Sequence, residues 1–310
     1  MADEMTAALL ASPSLRTWYR ATRPRTLAAA IVPVLAGSAL ALSDRFSILR
    51  FLLALAGSVA IQAGTNMLNE HFDHVQGLDL TRVKRQDMVI QTGELRHDAM
   101  LRGGTAAMVI GAICGLVLVY QTGPGLLVLG VLSILAGYAY TARPIALGYR
   151  ALGEVTVFFF MGPAIVAGSY YVQTGIWSGR ALLLSLPIGM IVTSILHVNN
   201  VRDMADDRAN GKRTLANLLG RRVAEYEYFL LVPGAYAVLC LLVAAGALPV
   251  PALLALLTFP VAMRLSRQLS RASAVLPLDR VMAATARLHM RFGLLLTAGL
   301  AIEAVRKAMA

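Results

Sequence analysis

Ala181-Leu-Leu-Leu-Ser-Leu-Pro-Ile-Gly-Met-Ile-Val-Thr-Ser-Ile-Leu-His197-Val-Asn199-Asn200-Val-Arg202-Asp203-Met-Ala-Asp206-Asp207 is the stretch that decides the fold. From Ala181 to Val201 it holds no Asp, Glu, Lys or Arg. A helix needs roughly 20 mostly apolar residues to cross a bilayer, so this run reads as a membrane span. It then ends in a cluster of aspartates. An Asp at the middle of a bilayer costs roughly 2.5–3.5 kcal/mol, and neighbouring carboxylates repel one another unless something positive joins them. Steps of four place Asn199, Asp203 and Asp207 on one face of a helix that continues past the span.

The rest of the chain has the same character. It has 310 residues, of which 57% are hydrophobic and 15% charged, against roughly 25% charged in a soluble domain. Its mean hydropathy is +0.66. Nine runs read as spans, near residues 25–43, 51–69, 104–121, 124–141, 153–172, 181–199, 228–246, 248–264 and 287–305. With the N-terminus on the cytoplasmic side, the outside segments hold only Arg45, Arg50, Arg180, Arg306 and Lys307 of the 28 basic residues. That bias is the positive-inside pattern. It puts the C-terminus outside and the long loops 70–103 and 200–227 inside. It also accounts for the formal charge of +11 without nucleic acid. The first fifteen residues carry Asp3 and Glu4 and have no apolar core, so the first span is expected to do the targeting. Cys114 and Cys240 lie inside apolar runs and suggest no disulfide framework.

A second acidic helix end precedes the first in the chain: Asn66-Met-Leu-Asn69-Glu70-His71-Phe72-Asp73, followed by Gly77 and Asp79. Aligning Asn69 with Asn199 places Asp73 on Asp203. Four spans from one motif to the other return the chain to the same membrane side, which suggests two related halves, roughly 16–150 and 151–310, of a single domain covering 1–310. One such motif alone is most simply a solvated helix end. Two of matching spacing on one face point to hard oxygen ligands for Mg²⁺, which takes one or two carboxylates together with substrate phosphates. Arg143, in a short inside loop, and Lys212 and Arg208, just after Asp207, could hold the diphosphate that such a metal bridges.

These residues resemble the UbiA superfamily of intramembrane aromatic prenyltransferases, over nearly the whole chain. Asn69-x-x-x-Asp73 and Asp203-x-x-x-Asp207 match its two Asp-rich motifs, and Arg23-Pro24-Arg25-Thr26-Leu27 looks like its opening segment. Leu152-Gly153-Glu154-Val155, Gly162-Pro163, Tyr170–Gly175, Asn199–Asp203 and Gly211–Ala216 are similar to the MenA branch, the 1,4-dihydroxy-2-naphthoate polyprenyltransferases. The resemblance implies an all-α bundle of about nine spans in a bacterial-type inner membrane. It implies Mg²⁺ held by Asn69, Asp73, Asn199, Asp203 and Asp207, with Asp73, Asp203 and Asp207 catalytic. The partners implied are a polyprenyl diphosphate, an aromatic acceptor and membrane lipids, in menaquinone biosynthesis. Glu70 departs from the Asp of many members, and Gly77 stands where a third Asp often sits; Asp79 is the substitute ligand.

Other residues admit more than one reading. Glu154 begins the fifth span and is either a base, or an orienting group for Arg143, or an interfacial carboxylate favoured by the helix dipole. His197 either touches the acceptor or makes an interhelical hydrogen bond. With Asn66, these two are the candidate acceptor pocket. Acceptors such as 4-hydroxybenzoate, homogentisate or haem would require almost the same motifs. A secondary transporter is the alternative of another class, disfavoured because the acids gather at one face rather than the midplane. A lipid-binding scaffold gives no reason for paired Asp motifs.

Overall fold

The computed structural model describes residues 14–77, 88–272 and 275–310. In chain order the helices are α1 (Leu15–Ala21), α2 (Pro24–Ser43), α3 (Ile48–Val75), α4 (His97–Thr122), α5 (Gly125–Ala139) and α6 (Gly153–Thr174). They continue with α7 (Gly179–Arg202), α8 (Met204–Ala209), α9 (Leu215–Leu219), α10 (Arg221–Ala244), α11 (Val250–Arg271) and α12 (Val275–Met309). Eight of them are long and apolar enough to cross a membrane. The fourth predicted span is α5, only 15 residues long. At 1.5 Å per residue it covers about 22 Å of a hydrocarbon core about 30 Å thick.

Helices α2, α7 and α12 form the middle of the bundle. Val32 and Ala36 of α2, Leu184, Ile188 and Ile191 of α7, and Phe292 and Leu296 of α12 share one buried apolar cluster. The rim is apolar as well. Val109, Ile110, Ile113 and Leu116 of α4 and Val128, Val131, Leu132 and Leu135 of α5 are exposed. So large an apolar face is stable against acyl chains and not against water.

Two close approaches set the geometry. Helix α6 contains a π-turn, Phe160–Ala164, around Pro163, whose missing N–H cannot complete the α-helical ladder. Beside it, a Cβ on Gly162 would lie 2.9 Å from Gly189 Cα, so α6 rests directly on α7. On α12, a Cβ on Gly299 would lie 2.1 Å from the Pro251 carbonyl oxygen. Gly299→Ala must therefore push α12 off the start of α11. The expected loss is about 1–3 kcal/mol, read as a lower unfolding temperature in detergent; an unchanged temperature would mean the two backbones are farther apart.

At the motif end, α1 is tied to the segment before α4. The Arg20 guanidinium donates to both carboxylate oxygens of Glu94 at 2.7 Å and holds that carboxyl below its ordinary range. Glu70, fully buried, accepts from Ile90 N at 2.9 Å and from Arg23 at 3.5 Å. The departure from Asp at this position thus anchors the segment preceding α4.

Candidate active site

The last turns of α3 present Asn69 and Asp73 one helical turn apart. Asn69 Oδ1 accepts a hydrogen bond from Thr141 Oγ1 at 2.6 Å, and Asp73 Oδ1 accepts one from the Tyr149 hydroxyl at 2.6 Å. Both donors belong to the connection between α5 and α6. That connection is tightly specified. Ala146 and Ala151 take φ values of 44° and 56°, a left-handed conformation that costs an L-residue roughly 1–2 kcal/mol. The Ala151 N–H donates to Arg213 O at 2.8 Å, and the Arg213 N–H donates to Tyr149 O at 3.1 Å. These two bonds join the α5–α6 connection to the segment that follows the second motif.

Lys212 stands beside this bridge. Its Nζ is 3.2 Å from Asp207 Oδ2 and 5.5 Å from the centre of the Tyr149 ring. Asp73, Tyr149, Lys212 and Asp207 therefore form an unbroken chain of contacts across the bundle, and the two acidic helix ends face one another. Asp207 is fully buried. The side chains that Thr141, Tyr149 and Lys212 hold, those of Asn69, Asp73 and Asp207, offer oxygen ligands, a set that suits Mg²⁺ rather than a softer metal.

The second motif departs from a single continuous helical face. Helix α7 ends at Arg202, Asp203 has φ −96° and ψ 8°, and α8 begins at Met204. The break lets Asp203 meet its own neighbour. Arg202 Nε donates to Asp203 Oδ1 at 2.8 Å and its NH2 to Oδ2 at 3.0 Å. The same NH2 donates to Asn199 Oδ1 at 2.6 Å, while NH1 reaches Asp279 of α12. Asn199 and Asp203 are thus gathered on Arg202, and Asp207 on Lys212.

The remaining candidates fall around this centre. Arg143 donates from Nε to Gln76 Oε1 at 3.2 Å and is exposed. Arg208 donates to Asn217 O of α9 at 3.2 Å. Asn66 donates to Thr22 O and Thr26 Oγ1, both at 2.9 Å, and so pins the start of α2. Glu154 and His197 belong to a second buried group with Asn200 and Glu227: Asn200 Nδ2 donates to Glu154 Oε1 at 2.8 Å. Asp79 lies outside the described residues.

Sequence reading missed Tyr149, Thr141, Glu227, Asp279 and the role of Arg202. Tyr149 and Thr141 carry no motif, since their place depends on the loop. Glu227 precedes the predicted start of the seventh span at residue 228, whereas α10 begins at Arg221.

The sequence model of the UbiA prenyltransferase family matches residues 30–289. A 1,4-dihydroxy-2-naphthoate octaprenyltransferase of Bacillus subtilis is 29% identical, over 93% of this chain and 93% of its own. Its counterpart in Mycobacterium tuberculosis is 34% identical, over 71% of this chain and 76% of its own. Among solved structures, the apo form of a UbiA homolog from Aeropyrum pernix superposes with a TM-score of 0.66 at 17% identity, over 90% of this chain and 97% of that one. A UbiA homolog from Archaeoglobus fulgidus bound to GPP and Mg²⁺ gives 0.63 at 14% identity, over 91% and 99%. The likeness to these structures is one of fold, and the family match covers most of the sequence: this chain belongs to the UbiA prenyltransferase family.

Proposed function

We propose that this protein transfers a polyprenyl group from an allylic diphosphate to 1,4-dihydroxy-2-naphthoate, as a membrane step of menaquinone biosynthesis. The observation that carries the reading is the meeting of Asp73 and Asp207 across Tyr149 and Lys212. The relatives named 1,4-dihydroxy-2-naphthoate octaprenyltransferase support the choice of acceptor. The bound GPP and Mg²⁺ of the Archaeoglobus homolog support the donor and the metal.

Asp73 and Asp207, with Asn69, would hold Mg²⁺ directly or through water, and Asp203 would join them on release from Arg202. When bound, the metal supplies positive charge to the leaving diphosphate. Lys212 and Arg143 take phosphate oxygens that remain, and Arg208, four residues before Lys212, is a further candidate. Tyr149 orients the Asp73 carboxylate. The apolar spans exclude the water that would capture the allylic cation. The acceptor ring attacks that carbon and loses its carboxyl group as CO₂. Glu154, His197 and Asn66 remain candidate acceptor-side groups. The domain is read as two related halves, residues 16–150 and 151–310. The excess of basic residues in loops 70–103 and 200–227 supports a cytoplasmic N-terminus, an outside C-terminus and a bacterial-type inner membrane.

Membranes containing the protein, given labelled polyprenyl diphosphate, Mg²⁺ and 1,4-dihydroxy-2-naphthoate, should form a lipid-soluble naphthoquinol product that EDTA abolishes. Product with another phenol alone would keep prenyl transfer and discard this acceptor; no product with any acceptor would return the transporter reading. Tyr149→Phe removes a hydrogen bond to a charged group, worth roughly 1.5–3 kcal/mol. Its kcat/KM for the diphosphate should fall by about ten- to a hundredfold. An unaltered kcat/KM would make the Tyr149 hydroxyl a bystander.

A further inference from the structure

We propose that Glu154, His197 and Glu227 form a second cation site, for a divalent transition metal of the Zn²⁺ class, separate from the aspartate centre. Three spans supply the ligands: α6 gives Glu154 from its first turn, α7 gives His197, and α10 gives Glu227. The three ligand atoms lie within 4.8 Å of one another. His197 and Glu154 are 0% and 4% exposed, and Glu227 is 19% exposed at the side chain.

The tautomer of His197 is fixed by its surroundings. Nε2 lies 2.7 Å from the carbonyl oxygen of Ala224. A carbonyl can only accept, so Nε2 carries the proton, and a neutral ring in that tautomer would present its Nδ1 lone pair. That lone pair points at two carboxylates: Nδ1 is 3.7 Å from Glu154 Oε1 and 3.4 Å from Glu227 Oε1. Neither distance is a hydrogen bond. An imidazolium donating to a carboxylate closes to about 2.7–2.9 Å, and Nδ1 has no hydrogen-bond partner at all. Glu154 Oε2 is likewise buried and without a partner.

Metal ligation accounts for these spacings. With Zn–N and Zn–O bonds of about 2.0–2.2 Å, the edges of a tetrahedron are about 3.3–3.6 Å. The observed separation of 3.4 Å lies at that edge length, and that of 3.7 Å lies just beyond it. The outer contacts fit as well. A ligating imidazole usually donates its other N–H to a carbonyl or carboxylate, and a ligating carboxylate is usually itself hydrogen-bonded. Here Ala224 O holds the ring, and Asn200 Nδ2 holds Glu154 Oε1 at 2.8 Å. Among the described residues, His197 is the only ion-pair partner of either glutamate. Two ionised carboxylates beside a neutral ring would place two negative charges in a largely buried place, which a dication would cancel. The imidazole selects against Mg²⁺ and Ca²⁺ and favours Zn²⁺, Ni²⁺ or Co²⁺. A metal there would clamp α6, α7 and α10 together within about two turns of the Asn199–Asp203 motif.

The test uses the full chain in detergent, stripped with chelator and titrated with Zn²⁺ in the presence of excess Mg²⁺. The expected result is one tightly held Zn²⁺ per chain by elemental analysis, with a raised unfolding temperature. Replacing Zn²⁺ by Co²⁺ should give the visible absorption of tetrahedral Co²⁺, a readout on the unaltered protein. Glu227→Gln should weaken Zn²⁺ binding by more than about tenfold, His197→Gln should do the same, and Asp207→Asn should leave it intact. A protein that takes up no Zn²⁺ overturns the proposal. So does uptake that survives both Glu227→Gln and His197→Gln but is lost in Asp207→Asn, because the metal then sits at the aspartates. None of these readouts depends on prenyl transfer.

Discussion

Asp207→Asn should lower kcat for prenyl transfer by about a hundred- to a thousandfold, the range seen when one preorganised electrostatic group is removed from a site. Asp207 is fully buried, and its Oδ2 lies 3.2 Å from Lys212 Nζ. Asparagine keeps the shape and one acceptor oxygen, so Lys212 retains a hydrogen-bond partner and the fold is disturbed little. What is lost is the negative charge. Without it Lys212 and Arg143 would stand beside less negative charge, and Mg²⁺ would bind more weakly. Two measurements separate this from misfolding. The Mg²⁺ concentration for half-maximal rate should rise, and the unfolding temperature should stay near that of the unaltered protein. A full rate at ordinary Mg²⁺ would remove Asp207 from the catalytic centre, leaving it only an ion-pair partner of Lys212.

The parts of this centre that could be read in the sequence are those set by helical repeat. Asn69 and Asp73 lie four residues apart on one helix, and the structure keeps them on one face because α3 runs unbroken to Val75. The spans follow from apolar runs for the same reason, since bilayer thickness fixes their length. Their ends were less legible. Helix α12 starts at Val275, well before the predicted 287, and α10 at Arg221. Polar residues there continue the helix beyond the apolar core, where hydropathy gives no signal. That is why Asp279 and Glu227 escaped notice. Tyr149 was hidden for a different reason. Its position depends on left-handed φ at Ala146 and Ala151, and alanine gives no warning of such a turn, as glycine would. Arg202 was hidden by the helix rule itself. Adjacent residues on a helix do not face each other, so Arg202 and Asp203 pair only because α7 stops between them.

Arg202→Ala should destabilise the protein by about 3–5 kcal/mol, the usual effect of removing one member of a buried ion pair. The Arg202 side chain is 2% exposed, and so is that of Asp203. One guanidinium serves both oxygens of Asp203, Asn199 Oδ1 and Asp279 at once. Alanine leaves the Asp203 carboxylate buried without that counter-charge and cuts the tie between the end of α7 and the start of α12. The unfolding temperature in nanodiscs should fall by about 5 °C or more. The pair Arg202→Met with Asp203→Leu tests the cause, because apolar replacement of both partners of a buried ion pair is often neutral or stabilising. That double variant should recover most of the stability. It should nevertheless remain inactive if Asp203 joins the metal during turnover, and active if Asp203 serves only to hold Arg202. Stability and rate thus separate two roles that the resting geometry leaves superimposed on one carboxylate. An Arg202→Ala protein as stable as the original would mean that Asp203 finds another cation, and Lys212 would be the first residue to replace next.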